Sequence, residues 1–489
     1  MTTRLRRTAS GAMRRLLLIN PALDGGGERP RRHRQRRGTG RIDTALPNVG
    51  GVATMEPLGL AYVAALTPPD WDIRLWDEVV EPGPPAGDAD LVGISTLTAT
   101  APRAYELASQ FRRRGVPVVL GGPHPTLLPE EAAGYADVVF RGEAEGAWPK
   151  LIVDFEAGCL QPRYEGGGPP LEHSVLPRRD LYRRRYTVAM VSASRGCRYR
   201  CEFCSIWKLD GGTLRLRPVE EVWAELASCR PGASWATLFT DDNIAAERDW
   251  AIELFRGIAE RGLRRRFAVQ ASLSIAEEPG LLRWLRRAGC FAVMTGLESV
   301  SEDSLRRMRK GVNLRIGVEG YRERIRQIHA QGMMVAGTFM FGNDGDEPDI
   351  FRRTAKFVSE AGVDLAHFGI LLPDPGTDLY DRLKREGRLL YTAYPEDYRR
   401  HHLGQALFAP QQMSPAELEE GYRWAVADVS RWPAVIRRSW RTWRDTGNIF
   451  AAIVAMAWTR TGLRARLAPH GRSPAGQADG RGRWALTTH

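Results

Sequence analysis

Three closely spaced cysteines constrain this chain more than any other feature. Cys197, Cys201 and Cys204 lie in SRGCRYRCEFCSIW, directly after the apolar stretch Val188–Ala193. The motif CxxxCxxC therefore occupies the loop after a predicted strand. Thiolates are soft ligands, and a compact loop of three suits a four-iron–four-sulfur cluster. Such clusters usually take four cysteines. Three leave one iron open to a non-protein ligand, which suits chemistry better than simple electron transfer. The alternative, a structural zinc site, needs a fourth ligand at short spacing. Neither Cys nor His occurs within twenty residues on either side, and Cys229 is 25 residues beyond Cys204. Cys159, Cys229 and Cys290 are scattered and read as buried packing residues.

The loop belongs to an alternating series. Apolar stretches at Val188–Ala193, Trp235–Thr240, Phe267–Ala271, Phe291–Gly296, Met333–Phe341 and Leu365–Leu371 read as strands. Helical patterns such as Val219–Ser228, Trp250–Arg261 and Val318–Gln331 separate them. About six such units make a partial barrel, short of the eight of a closed one. Upstream, Leu16–Asn20, Asp72–Trp76, Asp90–Ser95, Pro117–Leu120 and Asp137–Phe140 read as strands, with helices at Leu58–Leu66 and Ala101–Arg114. Strands separated by helices predict a doubly wound parallel sheet. Ligands of such sheets bind beyond the carboxyl ends of the strands, and no GxGxxG supports a dinucleotide.

The expected organisation is α/β: a doubly wound, Rossmann-like domain at 14–155, a linker at 156–184 and a partial (β/α)6 barrel at 185–385. A helical domain at 386–466 and a disordered tail at 467–489 complete it. The linker is expected because Gly166–Gly168, Pro169, Pro170 and Pro177 interrupt all periodicity. Leu418, Tyr422, Ala425, Val426 and Val429 mark a later helix, and Ile436, Trp440 and Trp443 continue after Pro433.

Charge narrows the function classes. The chain nets +12, but residues 1–41 hold twelve Arg against Asp24 and Glu28, so +10 lies there. ERPRRHRQRRGTGR at 28–41 has no interleaved aromatic residues for base stacking, and no stable nucleic-acid partner is expected. It reads as a solvated insertion, with an anionic substrate or partner as the sharper alternative. No apolar run reaches the roughly 18 residues of a membrane span, and Leu16–Ile19 is too short for a signal-peptide core. A cytoplasmic enzyme is expected. Trp424, Trp432, Trp440, Trp443 and Trp458 with neighbouring Arg suit either a helical cap on the barrel or an amphipathic helix in peripheral contact with a membrane.

The cysteine motif, with Phe203 just before its third Cys, resembles the radical S-adenosylmethionine (SAM) superfamily. In that family the open iron chelates SAM, whose reduction yields a 5′-deoxyadenosyl radical. Further segments match in order. FTDDN, with Asp241, Asp242 and Asn243, resembles the motif that holds the methionine amino group. TGLESVSEDSL supplies Glu298 and Ser299, which resemble residues at the ribose or methionine end. GTFMFGNDGD, with Gly337, resembles the segment beside the adenine, and PDPGTDLY resembles the sixth-strand exit. Gln270, ending the third strand, joins the implied SAM contacts. Taken singly, these carboxylates and glycines would equally suit helix caps and turns.

The amino-terminal domain resembles the cobalamin-binding domain of cobalamin-dependent radical SAM enzymes. MEPLGLAYVAAL, DLVGISTLTAT, LGGPHPTLLPEEA and FRGEAEGAWPKL carry the resemblance. It implies cobalamin contacts at Ser95, Thr96, Thr98, Gly121, Gly122 and His124. A DxHxxG motif is absent after the first strand, so no lower cobalt ligand is expected from it, and GEAE replaces the more frequent GEGE. A cofactor-free remnant of the sheet is the rival reading. The methylthiotransferases need three further amino-terminal cysteines, whereas only Cys159 precedes Cys197. HHLGQALFAPQQMSPAELEEGYRW resembles the extension of hopanoid methylases.

Together these resemblances imply a cobalamin-dependent radical SAM C-methyltransferase using a 4Fe-4S cluster, SAM and cobalamin. The implied partners are a small-molecule or lipid substrate and an electron donor such as flavodoxin or ferredoxin. They name no catalytic acid or base. A cyclase, oxidase or rearrangement enzyme without methyl transfer is the alternative within enzymes, and a cobalamin or redox sensor or adaptor the alternative outside them.

Overall fold

The computed structural model describes residues 13–23, 54–81, 87–172, 174–229, 234–263, 265–402 and 404–466. The 28–41 insertion and the 467–489 tail lie outside the described residues. Leu16–Ile19 is apolar at every position because both faces of its strand are covered. Leu17 and Ile19 pack with helix Ala101–Arg113, and Leu16 and Leu18 with helices Leu58–Ala65 and Ala144–Glu156. Strands β1 (Arg15–Asn20), β2 (Asp72–Asp77), β3 (Leu91–Ser95), β4 (Val118–Gly121), β5 (Val138–Gly142) and β6 (Arg163–Gly167) form one sheet in the order β2-β1-β3-β4-β5-β6. All its pairings are parallel. The order reverses between β1 and β3, which opens a crevice at their carboxyl ends.

Strand β6 lies within the segment expected as the 156–184 linker. Its Gly166, which looks like a turn residue, is demanded by close approach to helix Ala144–Glu156. A Cβ on Gly166 would overlap the Glu143 carbonyl oxygen, and one on Gly146 the Gly166 carbonyl oxygen. Gly146→Ala is therefore expected to destabilise the protein by about 1–3 kcal/mol, overriding the helix-propensity gain of alanine. A lowered urea midpoint would register it.

The barrel strands follow: β7 (Val188–Val191), β8 (Ser194–Arg195), β9 (Arg215–Leu216), β10 (Ala236–Phe239), β11 (Phe267–Gln270), β12 (Cys290–Glu298), β13 (Met334–Phe341) and β14 (Leu365–Ile370). β8 and β9 form a small antiparallel pair. The other six make an open parallel sheet, β7-β10-β11-β12-β13-β14. Val191, Phe239, Val269, Val293, Val335 and Phe368 join the buried core with the surrounding helices.

Residues 386–414 are mostly irregular, so the carboxy-terminal helices begin later than expected. Helix Pro415–Val429 starts at a reciprocal Ser414–Glu417 capping box and buries the five apolar residues of its sequence stripe. Helices Trp432–Thr446 and Ile449–Arg466 follow. Ala451, Val454 and Ala455 pack on Ala236, Phe291, Ala292 and Met334, near the amino ends of the strands, and close the barrel floor. Among the described residues no helix is long and apolar enough to cross a membrane.

Candidate functional site

A cavity of about 220 Å³ opens at the carboxyl ends of the barrel strands, lined by Cys197, Cys201, Phe203 and Cys204 with Asp242, Asn243, Gln270, Glu298, Lys310 and Thr338. The cysteine loop is held tightly. Gly196 adopts φ 92°, and a Cβ there would overlap the Thr213 carbonyl oxygen. Its N–H donates to Asp242 Oδ2 at 3.2 Å, tying the loop to the exit of β10. Trp207 Nε1 donates to the Cys201 carbonyl at 3.1 Å. Among the described residues no three His, Cys, Asp or Glu converge on a single ion. The three thiols instead share the wall of one cavity, an arrangement suited to a cluster in which each thiolate takes its own iron.

Burial pushes all three thiols up, Cys204 to about 11. As free thiols they are protonated near neutral pH, so metal binding must release protons.

Consecutive carboxylates diverge after β10. Asp241 turns away from the cavity, accepting from Ser194 Oγ at 2.5 Å and the Ala193 N–H at 3.3 Å. Asp242 turns into it. Burial raises both to about 6; for Asp242 the nearby Asp210 adds to the shift and the Gly196 N–H opposes it. Asn243 Oδ1 accepts the Ser272 N–H at 3.1 Å, bridging to the exit of β11.

Glu298 ends β12 with φ 63°, a left-handed conformation uncommon for a non-glycine residue. Its Oε1 lies 2.7 Å from Lys310 Nζ, while Oε2 is buried without a partner among the described residues. Gly296 makes room for this pair, since a Cβ there would overlap Glu298 Oε1. Lys310 was not anticipated. One signal pointed to it: it is one of only five lysines among 70 basic residues.

Three of the expected SAM contacts lie outside the cavity wall. Asp241 pins the β7 loop. Ser299 is buried and accepts the Ser301 N–H. Gly337 sits mid-strand against Leu297 and Val363. None of the three lines the cavity.

A second cavity, about 470 Å³, lies between the two sheets. Gly93, Ser95, Gly121, Gly122 and Gly142 of the first domain face Met190, Ser192, Arg195 and Thr240 of the barrel, with Tyr62 and Trp148 at the sides. Gly122 has φ 99°, and a Cβ on it would press on the Thr96 backbone at 2.9 Å. Arg195 bonds Glu143 at 2.6 Å and Glu145 at 2.7 Å, so the GEAE segment is clamped to the residue two before Cys197. Arg215 also pairs with Glu143.

Three of the expected cobalamin contacts lie outside the wall of this cavity. Thr96 is fully buried, and Thr98 Oγ1 lies 3.3 Å from His124 Nδ1. Neither lines the cavity. His124 is itself fully buried, with Nε2 2.9 Å from Tyr105 Oη and 3.3 Å from Glu131, whose other oxygen accepts from Tyr398 at 2.7 Å. Both ring nitrogens of His124 thus have protein partners, and it does not line the cavity.

Comparison with known proteins matches the family model of the radical SAM superfamily to residues 191–385 and that of the B12-binding domain to residues 51–152. The chain is a radical SAM protein with a B12-binding domain. It is 28% identical over 438 residues to a bacteriochlorophyllide d C-8(2)-methyltransferase of Chlorobaculum tepidum, covering 86% of this chain and 95% of that one. It is 28% identical over 367 residues to the hopanoid C-2 methylase of Rhodopseudomonas palustris, covering 72% and 69%. The fold matches that of the radical SAM methyltransferase TsrM from Kitasatospora setae, with TM-score 0.63 at 16% identity over 93% of this chain and 99% of that one.

The residues fit the cofactors that this family uses. Three thiols suit a cluster with one open iron, and the partnerless Glu298 Oε2 awaits a donor such as a hydroxyl or ammonium group. The glycine-floored crevice at the β1/β3 switch suits cobalamin. In this radical SAM protein, Lys310→Met would leave Glu298 buried without its cation. SAM affinity is expected to fall about tenfold, the scale of one charge-assisted hydrogen bond. Anaerobic equilibrium dialysis would measure it.

Proposed function

We propose that the protein is a cobalamin-dependent radical SAM C-methyltransferase that acts on an unactivated carbon of a secondary metabolite, lipid or tetrapyrrole. The adjacency of the two cavities carries this reading. Arg195 and Thr240 border the cobalamin crevice, and Cys197 and Asp242, each two residues further on, line the cysteine cavity. When bound, the cluster with SAM supplies one-electron reduction and hydrogen abstraction, and cobalamin supplies methyl transfer. The chain's own part is placement and exclusion of water. Cys197, Cys201 and Cys204 hold the cluster. Asp242, Asn243, Gln270, Glu298 and Lys310 orient SAM. Ser95, Gly121 and Gly122 let cobalamin approach the backbone, and the Arg195–Glu143 clamp seals the seam between the domains.

In this reading residues 14–155 with β6 form the cobalamin unit, 185–385 the SAM unit and 386–466 the closing segment. A one-electron donor such as flavodoxin or ferredoxin serves the cluster in the cytoplasm. The names of the relatives, acting on bacteriochlorophyllides and hopanoids, support a bulky polycyclic substrate.

The test is anaerobic incubation of reconstituted enzyme with reductant, both cofactors, methyl-labelled SAM and candidate tetrapyrroles or hopanoids. The expected result is labelled product with 5′-deoxyadenosine and S-adenosylhomocysteine in comparable amounts. Turnover to 5′-deoxyadenosine without S-adenosylhomocysteine would favour the cyclase or oxidase alternative.

A further inference from the structure

Helix Trp432–Thr446 is amphipathic the wrong way round for a simple cap. Its buried face holds Arg438, Thr442 and Thr446 alongside Val435. These polar groups are satisfied: Arg438 donates to the Val429 carbonyl at 3.1 Å and Thr442 Oγ1 to Asp364 Oδ1 at 2.5 Å. Its outer face carries Ile436, Trp440 and Trp443 at helical spacing, 57, 53 and 49% exposed. After the turn at Gly447, Ile449 and Ile453 of the next helix are 60 and 46% exposed. A helix that packs through its polar face and shows its apolar one to the outside is built for a second, non-aqueous contact.

The surroundings are cationic. Besides the buried Arg438, residues 431–459 hold Arg431, Arg437, Arg441 and Arg444 against Asp445 alone, with Arg431 also near Asp428 at 3.7 Å. Beside the turn lies an open cavity of about 360 Å³, lined by Arg265, Arg266 and Arg286 and bounded by Asn448 and Phe450, the two neighbours of exposed Ile449. Arg266 lies over the Phe450 ring at 4.2 Å. No acidic residue lines this cavity, and among the described residues none of the three arginines has a carboxylate within ion-pair distance. The cavity adjoins the amino ends of β11 and β12, opposite the cysteine cavity, so it belongs to neither cofactor site.

We propose that this hairpin and arginine cavity form a docking surface for a membrane containing anionic phospholipid. Trp440, Trp443, Ile449 and Ile453 enter the boundary between headgroups and acyl chains, and a lipid phosphate seats against Arg265, Arg266 and Arg286. Positive charge around an apolar row matches an anionic interface and opposes self-association through the same face.

Vesicle flotation of the full chain tests the proposal independently of turnover. The protein is expected to float with vesicles of phosphatidylcholine and phosphatidylglycerol, to stay behind with phosphatidylcholine alone, and to detach as salt rises. Arg266→Ser with Arg286→Ser should lower binding about fivefold or more at low salt. Trp440→Ser with Ile453→Ser should lower it comparably; both positions are exposed, so an unchanged circular dichroism spectrum is expected. Equal flotation of wild type and variants would overturn the proposal, as would absence of flotation. So would a dimer that the Trp440 and Ile453 changes dissociate while flotation persists. Stabilisation by inorganic phosphate without vesicle binding would assign the cavity to a soluble anion instead.

Discussion

Alanine at any one of Cys197, Cys201 or Cys204 is expected to bring iron incorporation and SAM cleavage down to background. In the proposed reading each thiol supplies one iron ligand, and the described residues offer no replacement. Cys229 and Cys290 are buried in the barrel core, whereas Cys159, against the expectation of a buried packing residue, is exposed between helix Ala144–Glu156 and β6. The loop is also poorly able to regroup, because Gly196 and the Gly196–Asp242 bond fix its start and Trp207 fixes its middle. The deficit should appear before turnover is measured, as loss of iron and sulfide after anaerobic reconstitution. Cys159→Ala is the matched control and should retain both. A Cys204→Ala protein with a full complement of iron and undiminished 5′-deoxyadenosine formation would refute the assignment.

What could be read from the chain, and what could not, follows from the range of the interactions involved. Strands such as Leu16–Asn20 announce themselves because burial on both faces leaves a continuous apolar run. The cysteine loop is equally plain, since its ligands lie within eight residues. The choice between Asp241 and Asp242 is different in kind: adjacent residues of an extended chain point opposite ways, and only the position of Ser194 decides which one is pinned. The surroundings of His124 are not legible from the chain, because its partner Glu131 is itself held by Tyr398 across 267 residues. Strand β6 was hidden because Gly166, which permits its close packing, is among the residues that mark a loop. The tryptophans of helix Trp432–Thr446 suited cap and amphipathic helix equally, until Arg438 and Thr442 proved to be the buried side.

The seam between the domains carries the largest expected stability effect. Glu225 is fully buried and accepts from Tyr62 Oη at 2.6 Å, Arg217 at 2.5 Å and Arg179 at 2.8 Å. Tyr62 comes from the cobalamin domain, Arg179 from the connecting segment and Arg217 from the barrel. Arg179 has a second carboxylate in Glu56 at 3.1 Å, whereas Arg217, whose side chain is 1% exposed, pairs with Glu225 alone among the described residues. The two single changes are therefore unequal. Arg217→Met leaves Glu225 with Arg179 and Tyr62. Glu225→Gln leaves Arg217 a buried cation without an anion, held only by neutral acceptors such as the Ser192 carbonyl at 2.7 Å. Removing one partner of a buried pair costs about 3–5 kcal/mol, and Glu225→Gln is expected at that level with Arg217→Met below it. Tyr62 and Ser192 also line the crevice proposed for cobalamin, so the loss should weaken cobalamin binding as well as lower the urea midpoint. If Glu225→Gln unfolds within 1 kcal/mol of wild type and binds cobalamin equally, the seam is not held by this knot, and the Arg195–Glu143 clamp must carry the alignment of the two cavities.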